Sequence, residues 1–360
     1  MNASDCNSYG VIVCPGYSPN SVKNIGDYVQ SYAALQYVPN DCEPLLLDRE
    51  HLNDIKQSNK KIKVIMNGWW MANPQNFPPS PSIDPLYVSF HLVPKIESSF
   101  FTPSVIEHLK QHQPIGCRDT NTVQLMKKHN IEAYYSSCLT LTLGKTFKRH
   151  TTDESKFIFV NPIAEKVISK NIGKSTKNII NCIRVFFKKP KTILSMVKNE
   201  FYCYNHSRNI INSIINSSRI YYCFSNTFSD EVLRSAIYIN HDIPKKKNPT
   251  DKERLEITRV LLEQYSTAKF VVTSRIHCAL PCLGIGTPVV FVTSDKLASN
   301  PRVKSFKEFF RNAHIEKGIC YLDKNDFNVE MIDASYSFEN YDKHLVYANK
   351  LKEKCELFFS

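Results

Sequence analysis

Two arginines and a histidine carry the chemistry for which this sequence can be read. Arg275 and His277 follow the apolar, β-branched run Phe270-Val271-Val272-Thr273, and the small-residue segment after them leads to a second run, Val289 to Val292. Two buried parallel strands joined through a short helix read this way, so both residues are expected at a strand's carboxyl end. In open α/β sheets ligands bind at that edge, where helix N-termini leave N–H groups pointing at anions. If extended geometry continues past the strand, the i, i+2 spacing puts both side chains on one face. Arg118 follows the strand Pro114 to Cys117 and precedes a helix capped by Asp119 or Thr120, beside that helix's positive end. Arginine offers a planar fork to carboxylate or phosphate, and histidine titrates near neutrality, so the set suits an anionic ligand and a proton transfer. The plain alternatives stay open: an Arg–Asp surface pair for Arg118, and a buried, backbone-bonded imidazole for His277.

The elements that must hold these residues alternate between strand and helix. Tyr9 to Cys14 reads as a buried strand, Pro15 to Asn20 as a loop, and a helix runs from Gly26 or Asp27 to Gln36 with Asn24 and Asp27 at its entrance. One of those two can simply cap the helix. Lys61 to Met66 is a strand that ends at Asn67-Gly68-Trp69-Trp70, followed by a proline-rich loop from Asn73 to Pro85. Adjacent loop tryptophans can pack flat on sugar rings, or one of them can be core. Tyr87 to Phe90 is a third strand with His91 at its end, and Tyr134 to Leu141 closes the first domain. In the second, Lys156 to Pro162 and Arg219 to Cys223 read as strands, Ser229 to Ile239 as a short helix and Asp251 to Thr267 as a longer one. Asn300-Pro301-Arg302 reads as a loop at another strand end, with Arg302 a weak candidate, and Phe338 to Phe359 as an amphipathic helix.

Composition narrows the class. A chain of 360 residues with 42% hydrophobic and 22% charged residues is an ordinary globular protein of about two domains. The start lacks the basic and apolar regions of a signal peptide, and no apolar run approaches a membrane span, so a cytoplasmic protein is expected. Its 12 cysteines are scattered without a C-x-x-C pair and read as reduced core residues. No metal-ligand spacing occurs, so metal-independent chemistry is expected. The net charge of +12 is local: Lys166 to Lys198 holds nine Lys or Arg and no Asp or Glu, which leaves only +3 for the rest. A nucleic-acid footprint over the whole protein is not supported.

Four stretches in this order resemble the polysaccharide pyruvyl transferase family. They are Asn24-Ile25-Gly26-Asp27-Tyr28-Val29-Gln30-Ser31-Tyr32-Ala33-Ala34-Leu35-Gln36, Val88-Ser89-Phe90-His91-Leu92, Ile115-Gly116-Cys117-Arg118-Asp119-Thr120, and Thr273-Ser274-Arg275-Ile276-His277-Cys278-Ala279-Leu280 with Leu283-Gly284-Ile285-Gly286-Thr287-Pro288-Val289. The resemblance implies an α/β fold of two facing Rossmann-like domains (GT-B-like) with a cleft between them. Residues 1–150 form the acceptor side and 151–335 the donor side with a basic helical insertion at 164–215, and a helix at 336–360 crosses back to the first domain. It implies transfer of pyruvate from phosphoenolpyruvate to a sugar as a ketal, in surface polysaccharide synthesis, with no cofactor and a lipid-linked saccharide as acceptor. Arg118, Arg275 and His277 then bind phosphoenolpyruvate, and His277, Asp27 and His91 serve catalysis. Asn24, Asp27, Trp69, Trp70 and His91 hold the acceptor. Departures are Asn67-Gly68-Trp69-Trp70, where a glycine-richer turn is expected, and Val160 to Asn226, which matches nothing specific. Two other classes compete: a two-Rossmann glycosyltransferase using a nucleotide sugar, and a non-catalytic binder of acidic polysaccharide or lipid.

The basic segment needs its own explanation. Drawn as a helix from Lys174 to Lys188, it sets Ile179, Ile180, Ile183, Phe186 and Phe187 against Lys174, Lys177, Asn181, Arg184 and Lys188, and Pro190 ends it. Its apolar face either packs on the second domain or, through residues 174–198, meets an anionic membrane surface at the cytoplasmic leaflet.

Overall fold

Runs of buried β-branched residues become central strands, and the polar segments at their carboxyl ends become the turns that carry the candidate residues. In this computed structural model the residues described are 9–15, 23–152, 156–163, 176–202, 209–243 and 249–360. The protein is mixed α/β with parallel sheets and divides into two compact units. The first comprises Met1–Thr146, Asn248–Leu261 and His344–Ser360, and the second Phe147–Lys247 and Leu262–Lys343. Of the expected loop at 15–20, residues from 16 on lie outside the described residues, as do 164–175 and 203–208 of the basic insertion.

The first unit holds β1 (Tyr9–Val13), β2 (Leu45–Asp48), β3 (Ile62–Ile65), β4 (Gly68–Trp70), β5 (Ile83–Leu86), β6 (Phe90–Leu92), β7 (Ile115–Cys117) and β8 (Ala133–Tyr135). They pair in parallel in the orders β2-β1-β3-β5 and β4-β6-β7-β8. The Met66 N–H donates to Leu86 O at 2.8 Å and the Gly68 N–H to Ser89 O at 3.1 Å, so β3 runs on into β4 and β5 into β6 across a break. Helix α1 (Gly26–Leu35) follows β1, and α2 (Thr120–Lys128) follows β7. Asp119 caps α2 by accepting from the Thr122 N–H at 2.9 Å, as expected. The C-terminal helix Leu345–Phe359 belongs to this unit, where Leu351 and Cys355 are buried and Lys145 pairs with Glu356 at 3.1 Å.

Several expectations fail here for identifiable reasons. Gly68 to Trp70 is a strand rather than an exposed loop end: Trp70 is 0% exposed and stacks on Phe90 at 5.2 Å, so it is core. His91 lies inside β6, paired with Trp69, and not at a strand end. The left-handed Ser89 (φ 56°) breaks the run that the sequence reads as one strand, and pairing resumes after it. The proline-rich loop includes β5, where Pro85 is tolerated because β5 is the edge of its sheet and needs no second row of N–H donors. The strand drawn to Leu141 stops at Tyr135, since Ser137 is left-handed (φ 66°) and Leu139–Lys145 coils into a 3-10 helix.

The second unit is built on β9 (Phe157–Val160), β10 (Glu200–Tyr202), β11 (Ile237–Asn240), β12 (Phe270–Thr273), β13 (Val289–Thr293), β14 (Arg311–Glu316) and β15 (Ile319–Leu322). The sheet order is β10-β11-β9-β12-β13-β14-β15, parallel except for the last pair. β9, β12 and β13 are buried at every residue, which is why they read as unbroken apolar runs. Helices α3 (Thr176–Lys188), α4 (Pro190–Lys198), α5 (Ile210–Phe224), α6 (Asp230–Ser235) and α8 (Ile276–Ile285) belong to this unit, and α7 (Asp251–Thr267) precedes α8 in the chain. A capping box starts α7: Thr250 Oγ1 accepts from the Glu253 N–H at 3.2 Å, and Glu253 accepts from the Thr250 N–H at 2.7 Å.

Arg219 to Cys223 is helical, the last part of α5, because Ser213, Ser217, Tyr221 and Phe224 recur on one buried face and a five-residue apolar run cannot distinguish strand from buried helix. The helix drawn over 229–239 ends at Ser235 and its second half is β11. Arg302 lies in a short helix, Pro301–Lys304, not in a loop, and the C-terminal helix starts at Leu345 instead of Phe338. No disulfide joins the ten described cysteines, eight of which are buried.

Candidate functional site

In the second unit the carboxyl ends of three neighbouring strands are stitched together by side chains. Thr273 Oγ1 donates to Val160 O at 2.7 Å and accepts from the Arg275 N–H at 3.0 Å, and Ser274 Oγ donates to Asn161 O at 2.7 Å. Asn161, left-handed at φ 37°, donates through Nδ2 to Asn240 Oδ1 and accepts the His241 N–H on Oδ1, both at 2.8 Å. β9 and β12 are the pair at which the strand order reverses, since β9 leads to β10 and β11 on one side and β12 to β13 and β14 on the other. Such switch points open a crevice outside the strand ends.

Arg275 stands in that position as the residue that caps α8. Its Nη2 donates to Asp242 Oδ1 and Oδ2 at 3.2 and 3.0 Å, while its buried Nε has no partner among the described residues. Beside it His241 is fully buried, with Nε2 on the Tyr265 hydroxyl at 2.5 Å. Burial, helped by the Arg275 cation, pushes the His241 pKa down to about 3, so this imidazole is neutral at neutral pH. His277 is half-buried in the first turn of α8. Arg275 is still extended (φ −97°, ψ 123°), but the chain turns into α8 at Ile276, so the extended geometry on which the i, i+2 argument for a shared face rests does not reach His277.

In the first unit the corresponding edge is organised by Asp119 and Gln30. Asp119 Oδ2 meets His91 Nδ1 at 2.5 Å while Oδ1 caps α2, and both residues are buried. Burial raises the Asp119 pKa, but the His91 bond and charge, the Thr122 N–H and Arg118 outweigh it and hold the carboxyl below its ordinary value. An ionised Asp119 orients the His91 ring and fixes Nε2 as the nitrogen turned away from the carboxylate. Arg118 is buried, not a surface residue, and its Nη1 donates to Gln30 Oε1 at 2.8 Å. Gln30 also accepts on its carbonyl from Asn67 Nδ2 at 3.0 Å and donates to Asp27 Oδ1 at 3.4 Å. Gly68 adopts φ 108° next to this amide, a conformation that only glycine takes without strain.

Asn24 and Asp27 stand at the start of α1. Asn24 Oδ1 accepts from the Gly26 N–H at 2.9 Å, but the N-cap position is Ile25, which has no side-chain cap, so neither Asn24 nor Asp27 is the capping residue. Asp27 faces the end of β1: burial first, then the Asp27 charge, drive the Cys14 thiol up to about 11. Trp69 is half-buried under the Arg49 guanidinium, 5.0 Å from the ring centre. Thus α1 and β7 bring Asp27, Gln30 and Arg118 together, and β6 and α2 add His91 and Asp119. Trp70 joins the core. Gln30, Asp119 as partner of His91, His241 and Asp242 were not singled out from the sequence. Asp242 follows β11, and the strand end had been absorbed into a helix drawn through Ile239.

The second unit thus places a guanidinium at the switch point of its parallel sheet, and the first unit buries a histidine–carboxylate pair between β6 and the start of α2. The profile of the polysaccharide pyruvyl transferases matches residues 24–296, which include every candidate residue from Asn24 to His277 and leave out Arg302 and the C-terminal helix. The chain belongs to the polysaccharide pyruvyl transferase family. No curated protein and no solved structure matches it significantly.

Proposed function

We propose that the chain transfers pyruvate from phosphoenolpyruvate onto a saccharide as a ketal and releases phosphate. Arg275 carries the reading: a guanidinium at the switch point and at the first turn of a ten-residue helix, with a buried Nε that has no partner among the described residues. That combination suits a ligand bearing both phosphate and carboxylate. Arg275 and the start of α8 take the phosphoryl end, and Arg118 is the second cation. His277 supplies the proton that turns the methylene carbon into a methyl group, which leaves a cationic centre at the adjacent carbon. A sugar hydroxyl attacks that centre, phosphate departs, and a second hydroxyl closes the ketal. One hydroxyl proton replaces the one His277 gave, and the other leaves with phosphate.

His91, oriented by Asp119, is the base for an acceptor hydroxyl, while Asp27, Asn24 and Trp69 hold the sugar. Trp70, being core, supports Trp69 rather than the sugar. The acceptor is a lipid-linked saccharide and the site of action the cytoplasmic face of a membrane.

Thermal unfolding with added ligand tests the donor. A ligand bound only by the folded chain stabilises it by about 2.7 kcal/mol at a hundred times its Kd. Phosphoenolpyruvate should raise the Tm of the wild type and, at the same concentration, raise that of Arg275→Ala clearly less. Stabilisation by nucleotide sugars with none by phosphoenolpyruvate would transfer the chain to the glycosyltransferase class.

A further inference from the structure

Among the described residues of the basic insertion, α3 and α4 pack with α5, and the outer side of α3 does not match the face drawn from sequence. In α3 the residues turned inward are Cys182, Val185 and Phe186, which pack against α5 and the core of the second unit. Ile180, Ile183 and Phe187 are exposed, Phe187 to 76%. They recur at i, i+3 and i+7, and Arg184 and Lys188 fall on the same exposed side. Phe186, half-buried, thus leans towards the core beside the exposed Phe187, and the cations lie beside the apolar stripe instead of across the helix from it. The neighbouring helices continue the pattern with exposed Leu194, Ile210 and Ile211 and with exposed Lys191 and Lys198.

An isolated exposed leucine needs no explanation, but a stripe of large apolar side chains on one helix does. Its chemistry is selective. From Lys166 to Lys198 the sequence contains no carboxylate, so a protein partner would need an acidic apolar surface, and a second copy of this stripe would bring cations against cations. A layer of anionic phospholipid offers what the stripe presents: acyl chains for Ile183 and Phe187, and headgroup phosphates within reach of Arg184 and Lys188, whose long stems let their charges stay in the headgroup region. We propose that α3 docks the second unit on an anionic membrane surface, with Ile180, Ile183 and Phe187 inserted and Arg184 and Lys188 at the headgroups. Nothing in this proposal depends on the reaction, so a donor other than phosphoenolpyruvate would leave it standing.

The test is co-sedimentation of the full chain with vesicles of phosphatidylcholine, alone or mixed with phosphatidylglycerol. We expect binding to the anionic vesicles at low salt, loss of binding as salt shortens the Debye length, and no binding to the neutral ones. Each basic side chain at such a surface contributes roughly a factor of five in affinity, so Arg184→Glu with Lys188→Glu should weaken binding at least about tenfold. Ile183→Asp with Phe187→Asp should abolish it, and both pairs are exposed, so the Tm should hold. Equal sedimentation of wild type and both double variants would overturn the proposal. So would a wild type that ignores anionic vesicles but elutes as a dimer that the Phe187→Asp change dissociates.

Discussion

At the scale of single residues, charge state separates the groups that bind from those that hold. Loss of Arg275 or of Arg118 should weaken phosphoenolpyruvate binding by roughly 1.5 to 3 kcal/mol each, the range for hydrogen bonds to charged groups. Isothermal titration of Arg118→Ala and Arg275→Ala measures this, and Arg275→Lys should recover only part because the planar fork is lost. His241 is the opposite case, a buried neutral ring. Its folded pKa of about 3 lies below the ordinary 6.5. As pH falls from about 6.5 towards 3, the unfolded chain takes up a proton that the folded chain refuses, so folding stability declines by up to about 1.4 kcal/mol per pH unit. Above 6.5 this contribution is fully present and flat. Replacing His241 with Gln should flatten the acid limb of a stability–pH curve measured by urea unfolding. His108, lowered to about 4 mainly by burial, has the same sign and remains as background. An unchanged slope in His241→Gln would mean that the ring is protonated in the folded chain.

At the scale of elements, the adjacent tryptophans separate packing from surface. Trp70 lies between Phe77 and Phe90, and Trp70→Ala should cost about 3 to 5 kcal/mol of stability by denaturant titration, while Trp69→Ala should cost far less and lower affinity for a saccharide. Similar costs for both would place Trp69 in the core as well. The same pair shows where the sequence left a loop platform and a core tryptophan as alternatives, and Trp70 takes the second. Two tryptophans after a glycine read as an exposed loop, because pairing of Gly68 with Phe90 depends on a strand whose start is hidden by the left-handed Ser89. Where period and caps agree with tertiary pairing, the reading was sound: β1, α1, α7 and the β12-α8-β13 unit stand where the residues put them. Arg118 and Arg275 were visible because each directly follows a short buried run that reads as a strand. His241 and Asp242 were hidden by β11, four residues attached to a short helix with no turn residue between them. The Gln30–Arg118 contact joins residues 88 positions apart, and no local signal announces it.

At the scale of the whole molecule, the order of the parts was legible and their contacts were not. Strand and helix alternation announced α/β, and four short motifs announced the family, which the profile match over residues 24–296 bears out. A helix at 336–360 crossing back to the first domain was expected, whereas the joining of Asn248–Leu261 to the first unit was not visible in any window. The C-terminal helix packs with the 3-10 turn Leu139–Lys145 of the first unit, and only the buried Leu351 and Cys355 and the Lys145–Glu356 pair show it. No helix among the described residues is long and apolar enough to cross a membrane. The central claim is pyruvyl transfer from phosphoenolpyruvate, and incubation of the purified chain with phosphoenolpyruvate and a panel of lipid-linked saccharides addresses it directly, with released phosphate and product mass followed together. We expect phosphate release that depends on an acceptor, one ketal formed per phosphate, and a rate lowered on the order of 10² to 10⁴ in His277→Ala with donor affinity within about tenfold of wild type. Phosphate release without a ketal, or glycosyl transfer from a nucleotide sugar with no use of phosphoenolpyruvate, would contradict it.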